Sequence, residues 1–334
     1  MLMTKLREGC DRIRSRWRES AGRTCRGVVL MFHEIHADDE TYLRELKCGC
    51  TASFLQAIIG ELRREQWDIV GPDEASARLR DGDPTRRFAV LTFDDGYRDV
   101  RTQALAVLED QQAPFTVYVP AGAPTRGLDA WWLGVRALLR RYDQVAISGT
   151  EMRYACGDHA EKVKCRAALS AWVHEDYRRA VQLQETFRAY DISLEALNGD
   201  YFLAEPELRE LACNPLVTVG SHTVSHAALG TLDDAGARRE MAGGRAYLES
   251  LLDRPIPHFA YPYGGSQACG GREFELARDL GFRSAVTTRE RPVFAADRMR
   301  PHEIPRIGVS GTMAHFAYLA QHLRELRNAS AADF

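Results

Sequence analysis

The sequence has no long apolar run. No stretch approaches the roughly 18 consecutive apolar residues that a membrane-spanning helix needs. The basic segment 1–26 also has no apolar core of the kind that secretory signals carry, which predicts a cytoplasmic protein. We interpret this segment as a solvated basic N-terminal arm. A short helix in weak contact with an acidic membrane surface is the alternative.

The sequence also has little net charge and no paired cysteines of metal-binding spacing. Its 44 basic and 47 acidic residues leave a formal charge of −3, and only the arm favours a nucleic-acid partner, so we expect none. The eight cysteines are scattered without a C-x-x-C pair, which excludes a zinc ribbon and predicts mostly free thiols.

What is present is an alternation of strand and helix patterns. Candidate strands of apolar and β-branched residues alternate with segments of helical spacing from Gly27 onward, which is typical of parallel βα units and an α/β fold. The alternation stops between residues 126 and 205, where helical spacing dominates. We therefore predict a barrel formed by residues 27–125 and 206–325, with a helical insertion at 126–205. The pair Trp131-Trp132 in the insertion is interpreted as a core anchor, with stacking on sugar rings as the alternative.

Two adjacent carboxylates follow one of these strands. The sequence F-A-V-L-T-F runs directly into Asp94 and Asp95, and adjacent side chains on an extended backbone point in opposite directions. One carboxylate can therefore hold a metal ion while the other handles protons. A simple turn after the strand is the alternative interpretation.

Two histidines follow another strand. His222 and His226 are four residues apart, so on one helical turn both imidazoles would face the same way. Two surface histidines would give the same spacing. However, parallel strands bring their carboxyl ends to a common face, which would place this pair beside the aspartates. Two nitrogens and one carboxylate leave coordination positions open, as in a catalytic metal centre.

Three motifs in this order resemble those of the polysaccharide deacetylases. They are T-F-D-D-G at 92–96, S-H-T-V-S-H at 221–226 and F-A-Y-P-Y-G at 259–264. The resemblance covers residues 27–310 apart from the insertion. It implies a distorted, incomplete (β/α) barrel that hydrolyses an N-acyl group from an amino sugar with the help of a divalent metal, zinc first and cobalt or nickel as alternatives.

The resemblance also implies roles for particular residues. Asp95, His222 and His226 would be the metal ligands, Asp94 the general base, and the backbone N–H of Tyr263 a donor to the oxyanion. In motif style the chain is closest to the poly-N-acetylglucosamine deacetylase branch, in which an early strand ends in a histidine.

The sequence departs from the family pattern at two places. No late histidine stands in the usual Leu-x-His context, so we assign the general acid to His33, at the end of the first strand; a histidine without a role is the alternative. Ala260 stands where many relatives have an arginine. We expect Arg306 to orient the base instead, with a salt bridge at the rim as the alternative.

We therefore expect a metal-dependent carbohydrate N-deacylase. Its substrate would be an amino sugar in a bacterial polysaccharide or in a lipid- or nucleotide-linked precursor, with acetyl as the default group and formyl using the same chemistry. The alternatives are an amidase of the same fold that cleaves a non-sugar C–N bond, and an inactive carbohydrate-binding protein.

Overall fold

The computed structural model describes residues 25–37, 49–83, 85–309, 311 and 313–329. Most of the predicted basic arm lies outside the described residues. Cys25 and Arg26 are described, and they are buried in the first strand, which therefore begins two residues earlier than predicted.

The strands of the described chain are short, and all but one of those in the main sheet are parallel to their neighbours. They are β1 (Cys25–Phe32), β2 (Glu34–His36), β3 (Gly49–Thr51), β4 (Asp68–Ile69), β5 (Phe88–Phe93), β6 (Phe115–Val119), β7 (Gln144–Ala146), β8 (Arg153–Ala155), β9 (Val217–Ser221), β10 (His258–Ala260), β11 (Ser284–Val286), β12 (Val293–Phe294) and β13 (Ile307–Gly308).

Helices separate most of these strands, as the alternating pattern predicts. They are α1 (Ala52–Arg64), α2 (Pro72–Asp81), α3 (Leu105–Asp110, after a π-helical turn at Val100–Ala104), α4 (Trp131–Arg141), α5 (His159–Glu175), α6 (Arg179–Ala189), α7 (Leu194–Tyr201), α8 (Glu205–Ala212), α9 (Asp234–Leu252), α10 (Gly271–Asp279) and α11 (Met313–Ala329). No helix in the described ranges is long and apolar enough to cross a membrane.

Strand β5 lies in the middle of the sheet, between β1 and β6. All six of its residues are buried, which explains their continuous apolar sequence, because parallel strands are covered on both faces. Its register with β1 ends at the pair Phe32 and Phe93. The next residues, His33 and Asp94, therefore emerge side by side at the carboxyl edge.

The sheet is curled, and the last segment of the chain contacts two strands that lie far apart in it. In the order β11-β10-β9-β6-β5-β1-β12, four strands separate β11 from β1. Ile307 of β13 pairs with Leu30 of β1, whereas Ile304 forms a single bridge to Val286 of β11. Because the second contact is one bridge and not a ladder, the barrel is distorted and incomplete, which confirms the predicted fold class.

The segment between β6 and β9 has an apolar core of its own. Helices α4, α5 and α6 contribute buried side chains such as Leu138, Leu169 and Phe187 to this core. The segment also contains an antiparallel pair, β7 and β8, which the sequence pattern did not reveal. Leu208 and Leu211 of α8 instead join the barrel core. The predicted insertion boundaries at residues 126 and 205 stay predictions.

A buried ion pair connects this segment to the barrel. The guanidinium of Arg136 on α4 donates to both carboxylate oxygens of Glu34 on β2, each over 2.6 Å. Both side chains are at least 95% buried. Burial alone would lower the pKa of Arg136, but the Glu34 carboxylate raises it above its ordinary value. The pair is therefore ionised, and each charge depends on the other.

We predict that Arg136→Met destabilises the protein strongly. Removal of Arg136 leaves the buried Glu34 carboxylate without its counter-ion, and breaking a buried ion pair in this way costs about 3–5 kcal/mol in free energy of unfolding. The double variant Glu34→Gln/Arg136→Met should recover part of this loss. Urea denaturation measures both.

The matched control is Arg178→Met, which removes an exposed arginine paired with Asp176 and should change stability little. An Arg136→Met protein as stable as this control would contradict the importance of the buried pair.

Candidate active site

The carboxyl ends of the central strands bring the predicted site residues together. A cavity of about 580 Å³ opens there and is lined by His33, Asp94, Asp95, His222, His226 and Tyr263. Arg306 lies behind the cavity, bonded to Asp94. The residues that follow β1, β5, β9 and β10 thus each supply at least one of the side chains that line the cavity.

Asp95, His222 and His226 form a compact group of possible metal ligands. Asp95 Oδ1 lies 3.6 Å from His222 Nε2 and 3.3 Å from His226 Nε2. This oxygen is buried and has no hydrogen-bond partner among the described residues. Burial would raise the pKa of Asp95, but the two imidazoles hold it well below its usual value. An ionised oxygen without a donor, facing two imidazole nitrogens, fits a divalent cation.

The orientation of His222 is fixed by the backbone. Its Nδ1 lies 2.7 Å from the carbonyl oxygen of Ala260 at the end of β10. An imidazole that donates through Nδ1 keeps the lone pair of Nε2 for a metal ion. Ala260, which stands where many relatives have an arginine, therefore orients His222 through its backbone carbonyl group.

The histidine pair does not lie on a helical turn, so that part of the prediction is wrong. The residues after β9 form a loop in which Thr223 and His226 adopt left-handed conformations, with φ of 69° and 61°. The carboxylate of Glu240 on α9 accepts hydrogen bonds from the N–H groups of Val224 (3.0 Å) and Ser225 (2.9 Å). These bonds give the backbone N–H groups of the loop the partners that a helix would otherwise provide. In this loop both imidazoles still point towards Asp95.

Asp94 makes a bidentate ion pair with Arg306. The two nitrogen–oxygen distances are both 2.7 Å. Arg306 is fully buried, so it does not form the rim salt bridge considered as the alternative. Its Nε donates to the carbonyl of Thr287 (3.0 Å), and a terminal nitrogen donates to Thr92 Oγ1 (3.2 Å). Burial would raise the pKa of Asp94, but Arg306 lowers it, so the carboxylate is ionised.

Tyr263 adopts a left-handed conformation beside the metal-ligand group, with φ of 60°. Its carbonyl accepts a hydrogen bond from Thr288 Oγ1 (2.6 Å), and its hydroxyl accepts one from Trp131 Nε1 (3.0 Å). Its ring lies 4.8 Å from the ring of His226. No described acceptor is bonded to its backbone N–H. Both ends of the residue are therefore held, and the N–H is available to a ligand.

His33 lies at the end of β1 and lines the cavity. The late histidines do not line it. His302 bonds through Nε2 to the carbonyl of Phe282, and His322 bonds within α11 to the carbonyl of Tyr318. His315 is also absent from the cavity wall. Among these four histidines only His33 lines the cavity, and its role as the acid stays a prediction.

The second wall of the cavity comes from α4 and α5, and sequence reasoning did not identify it. Trp131 is buried in the core of this segment and also lines the cavity, so the core-anchor interpretation and the sugar-stacking alternative both stay predictions. The ring of Trp132 lies 5.0 Å from His226, and its Nε1 donates to the hydroxyl of Tyr97 over 2.7 Å. The Trp131-Trp132 pair was the feature of the sequence that could have indicated this wall. The other residues of this wall are Val135, Arg136, Arg166, Ala167, Ser170 and His174 on these helices, and Tyr177, which follows α5.

A family model described as "Polysaccharide deacetylase" matches residues 81–285. The chain belongs to the polysaccharide deacetylase family. The matched region contains all three motifs of the family and begins before the strand that leads into Asp94. No curated protein sequence matches the chain significantly.

Solved structures of deacetylases share the fold of this family member. The deacetylase PplD from Streptococcus pyogenes has a TM-score of 0.59 at 18% identity, covering 89% of this chain and 97% of PplD. IcaB from Ammonifex degensii has a TM-score of 0.57 at 19% identity, covering 90% and 98%. The BpsB deacetylase domain from Bordetella bronchiseptica has a TM-score of 0.51 at 14% identity, covering 84% and 95%. At these identities the likeness is one of fold.

We predict that His226→Ala abolishes stable metal binding. The variant leaves one imidazole and one carboxylate, which is too few ligands for a site of three protein donors. Metal content after dialysis, measured by mass spectrometry, should fall from about one equivalent to near zero. His302→Ala is the control because its imidazole lies outside the cavity, and it should keep the metal. Full metal content in His226→Ala would contradict the ligand assignment.

Proposed function

We propose that this member of the family is a metal-dependent N-deacylase that acts on an amino sugar. The substrate would belong to a bacterial polysaccharide or to a lipid- or nucleotide-linked precursor of one. The observation that carries the proposal is the ionised Asp94 held by Arg306 beside the group of Asp95, His222 and His226, all at one cavity. The related PplD was solved in complex with acetate, which makes acetyl the first acyl group to test.

The donor set fits a divalent cation with nitrogen and oxygen preferences. Asp95, His222 and His226 would hold it, zinc first and cobalt or nickel as alternatives. When bound, such a cation acts as a Lewis acid on a carbonyl oxygen and lowers the pKa of bound water from 15.7 towards about 7.

Asp94 takes the proton of the attacking water in this proposal. Its bidentate bonds to Arg306 hold both carboxylate oxygens in place and keep the group ionised. A positioned general base of this kind contributes about 10²–10⁴-fold to the rate. Arg306 is a positioning residue, because it acts through Asp94.

The backbone N–H of Tyr263 would donate to the oxyanion that forms when the amide carbonyl is attacked. Pro262 has no N–H, and its fixed φ stiffens the turn that presents the next residue. The bonds of Tyr263 to Thr288 and Trp131 restrict the motion of this donor. One such donor is worth about 3 kcal/mol in transition-state stabilisation.

His33 would give a proton to the nitrogen of the leaving sugar. The C–N bond then breaks, the sugar leaves as a free amine, and the acyl group leaves as acetate or formate. His33 emerges beside Asp94 on the neighbouring strand, so the base and the acid lie on adjacent strand ends.

The proposal is tested by mass spectrometry of N-acetylated and N-formylated amino sugars after incubation with the zinc-loaded protein. We expect loss of one acyl group and release of the matching acid. A panel of non-sugar amides is included in parallel. Cleavage of the non-sugar amides alone would make the chain an amidase of the same fold, and the absence of any cleavage by metal-loaded protein would favour a binding protein.

We predict that Asp94→Asn keeps the metal and loses turnover. An amide cannot accept a proton from water at neutral pH, so kcat should fall by about 10²–10⁴-fold. Metal content and kcat are measured on the same preparation, and thermal unfolding checks that the protein is folded. Normal turnover in this variant would show that Asp94 is not the base.

For His33→Ala we predict a fall in kcat of about 100-fold with the metal retained, because the leaving amine then lacks a proton donor. The loss should be smaller on 4-nitrophenyl acetate, whose leaving group needs little protonation. His302→Ala is the matched control and should keep its activity, since that imidazole is bonded to a carbonyl outside the cavity. Equal losses on both substrates would argue against an acid role for His33.

A further inference from the structure

One face of α5 forms part of the wall of the cavity that also contains the metal-ligand group. Arg166, Ser170 and His174 are spaced by four residues, so they lie along one side of this helix, and all three line the cavity. The side chains of Cys165, Leu169 and Val173 lie on another face, in the core of the segment between β6 and β9. The helix is therefore anchored by its apolar side and presents polar groups to the cavity.

Arg166 differs from the other arginines at this site in having no acidic partner among the described residues. Its Nε makes no hydrogen bond to any of them, which is also true of Arg136 Nε, but Arg166 has no carboxylate on its terminal nitrogens either. Arg136, in the same cavity wall, is bonded to Glu34, and Arg306 is bonded to Asp94. Arg166 is half-buried at the cavity wall, so its terminal nitrogens are not enclosed by protein, and a ligand oxygen could accept from these donors.

The charges around the cavity leave a positive excess. The pairs Arg136–Glu34 and Arg306–Asp94 are each neutral. A divalent cation at Asp95 would exceed the charge of that carboxylate by one, and Arg166 adds another. Burial lowers the pKa of His174, so this residue is neutral at pH 7 and does not alter the sum. A cavity with a positive net charge attracts anionic ligands.

We infer that Arg166 binds an oxyanion carried by the substrate, so that the preferred substrate is an anionic amino sugar. The inference rests on the proposed function and names its substrate class. A guanidinium bonds in a bidentate manner to a phosphoryl group or to a carboxylate, and either can be attached to an amino sugar. The cavity volume of about 580 Å³ lies within the range of about 300–1,000 Å³ that small-molecule sites occupy.

The test compares deacylation of three substrates by the zinc-loaded protein. N-acetylglucosamine 1-phosphate carries a phosphoryl group, N-acetylmuramic acid carries a carboxylate, and the methyl glycoside of N-acetylglucosamine is neutral. We expect kcat/KM to favour one anionic substrate over the neutral one, and Arg166→Gln to reduce that preference about ten-fold or more. The preferred anion identifies the source of the negative charge.

Two further variants sharpen the comparison. Lys164→Gln removes the same charge from an exposed position of the same helix and should leave the preference unchanged. Arg166→Lys keeps the charge but not the forked donor and should restore part of the preference. Equilibrium dialysis of N-acetylglucosamine 1-phosphate against wild type and Arg166→Gln gives a readout that does not need turnover, and we expect tighter binding to wild type.

The outcomes separate this inference from the proposed function. An unchanged preference in Arg166→Gln, or an equal reduction in Lys164→Gln, would overturn the inference while deacylation stands. If wild type deacylates none of the sugars, the proposed function fails. Dialysis then decides the inference separately: weaker binding of the phosphate by Arg166→Gln supports the Arg166 subsite, and equal binding overturns it.

Discussion

The buried ion pair between Asp94 and Arg306 joins two parts of the chain that are 212 residues apart. Asp94 follows the central strand β5, whereas Arg306 belongs to the final segment that contacts β1 and β11. The position of the final segment against the barrel and the orientation of Asp94, the candidate base, therefore depend on the same ion pair. Burying two charges is costly unless their remaining donors and acceptors are also hydrogen-bonded. Arg306 meets this requirement through hydrogen bonds to the carbonyl of Thr287 and to Thr92 Oγ1.

The segment between β6 and β9 completes the site from the other side. The Glu34–Arg136 pair attaches it to the barrel, and the bond from Trp131 to Tyr263 connects its first helix to the loop beside the metal-ligand group. The cavity thus lies between the carboxyl edge of the barrel and α4 and α5.

Much of the architecture could be predicted because its signals are local. The continuous apolar run before Asp94 marks a strand buried on both faces, and motifs after parallel strands must meet at one edge. The loop of His226 could not be predicted, because Glu240 on α9 replaces the bonds of a helical turn. The Trp131–Tyr263 bond, across 132 residues, was likewise inaccessible, since only the folded chain brings the two side chains together. The departure at Ala260 led to the expectation that Arg306 contacts Asp94, and the two side chains do form an ion pair; the role of Asp94 as the base stays a prediction.

The most direct test of a metal-dependent deacylase is a titration of chelated, metal-free protein with zinc while acyl release from an N-acetylated amino sugar is followed. We expect no acyl release without metal and a linear return of activity that saturates at one equivalent. Deacylation by the metal-free protein, or activity that does not follow occupancy of the site formed by Asp95, His222 and His226, would contradict this expectation.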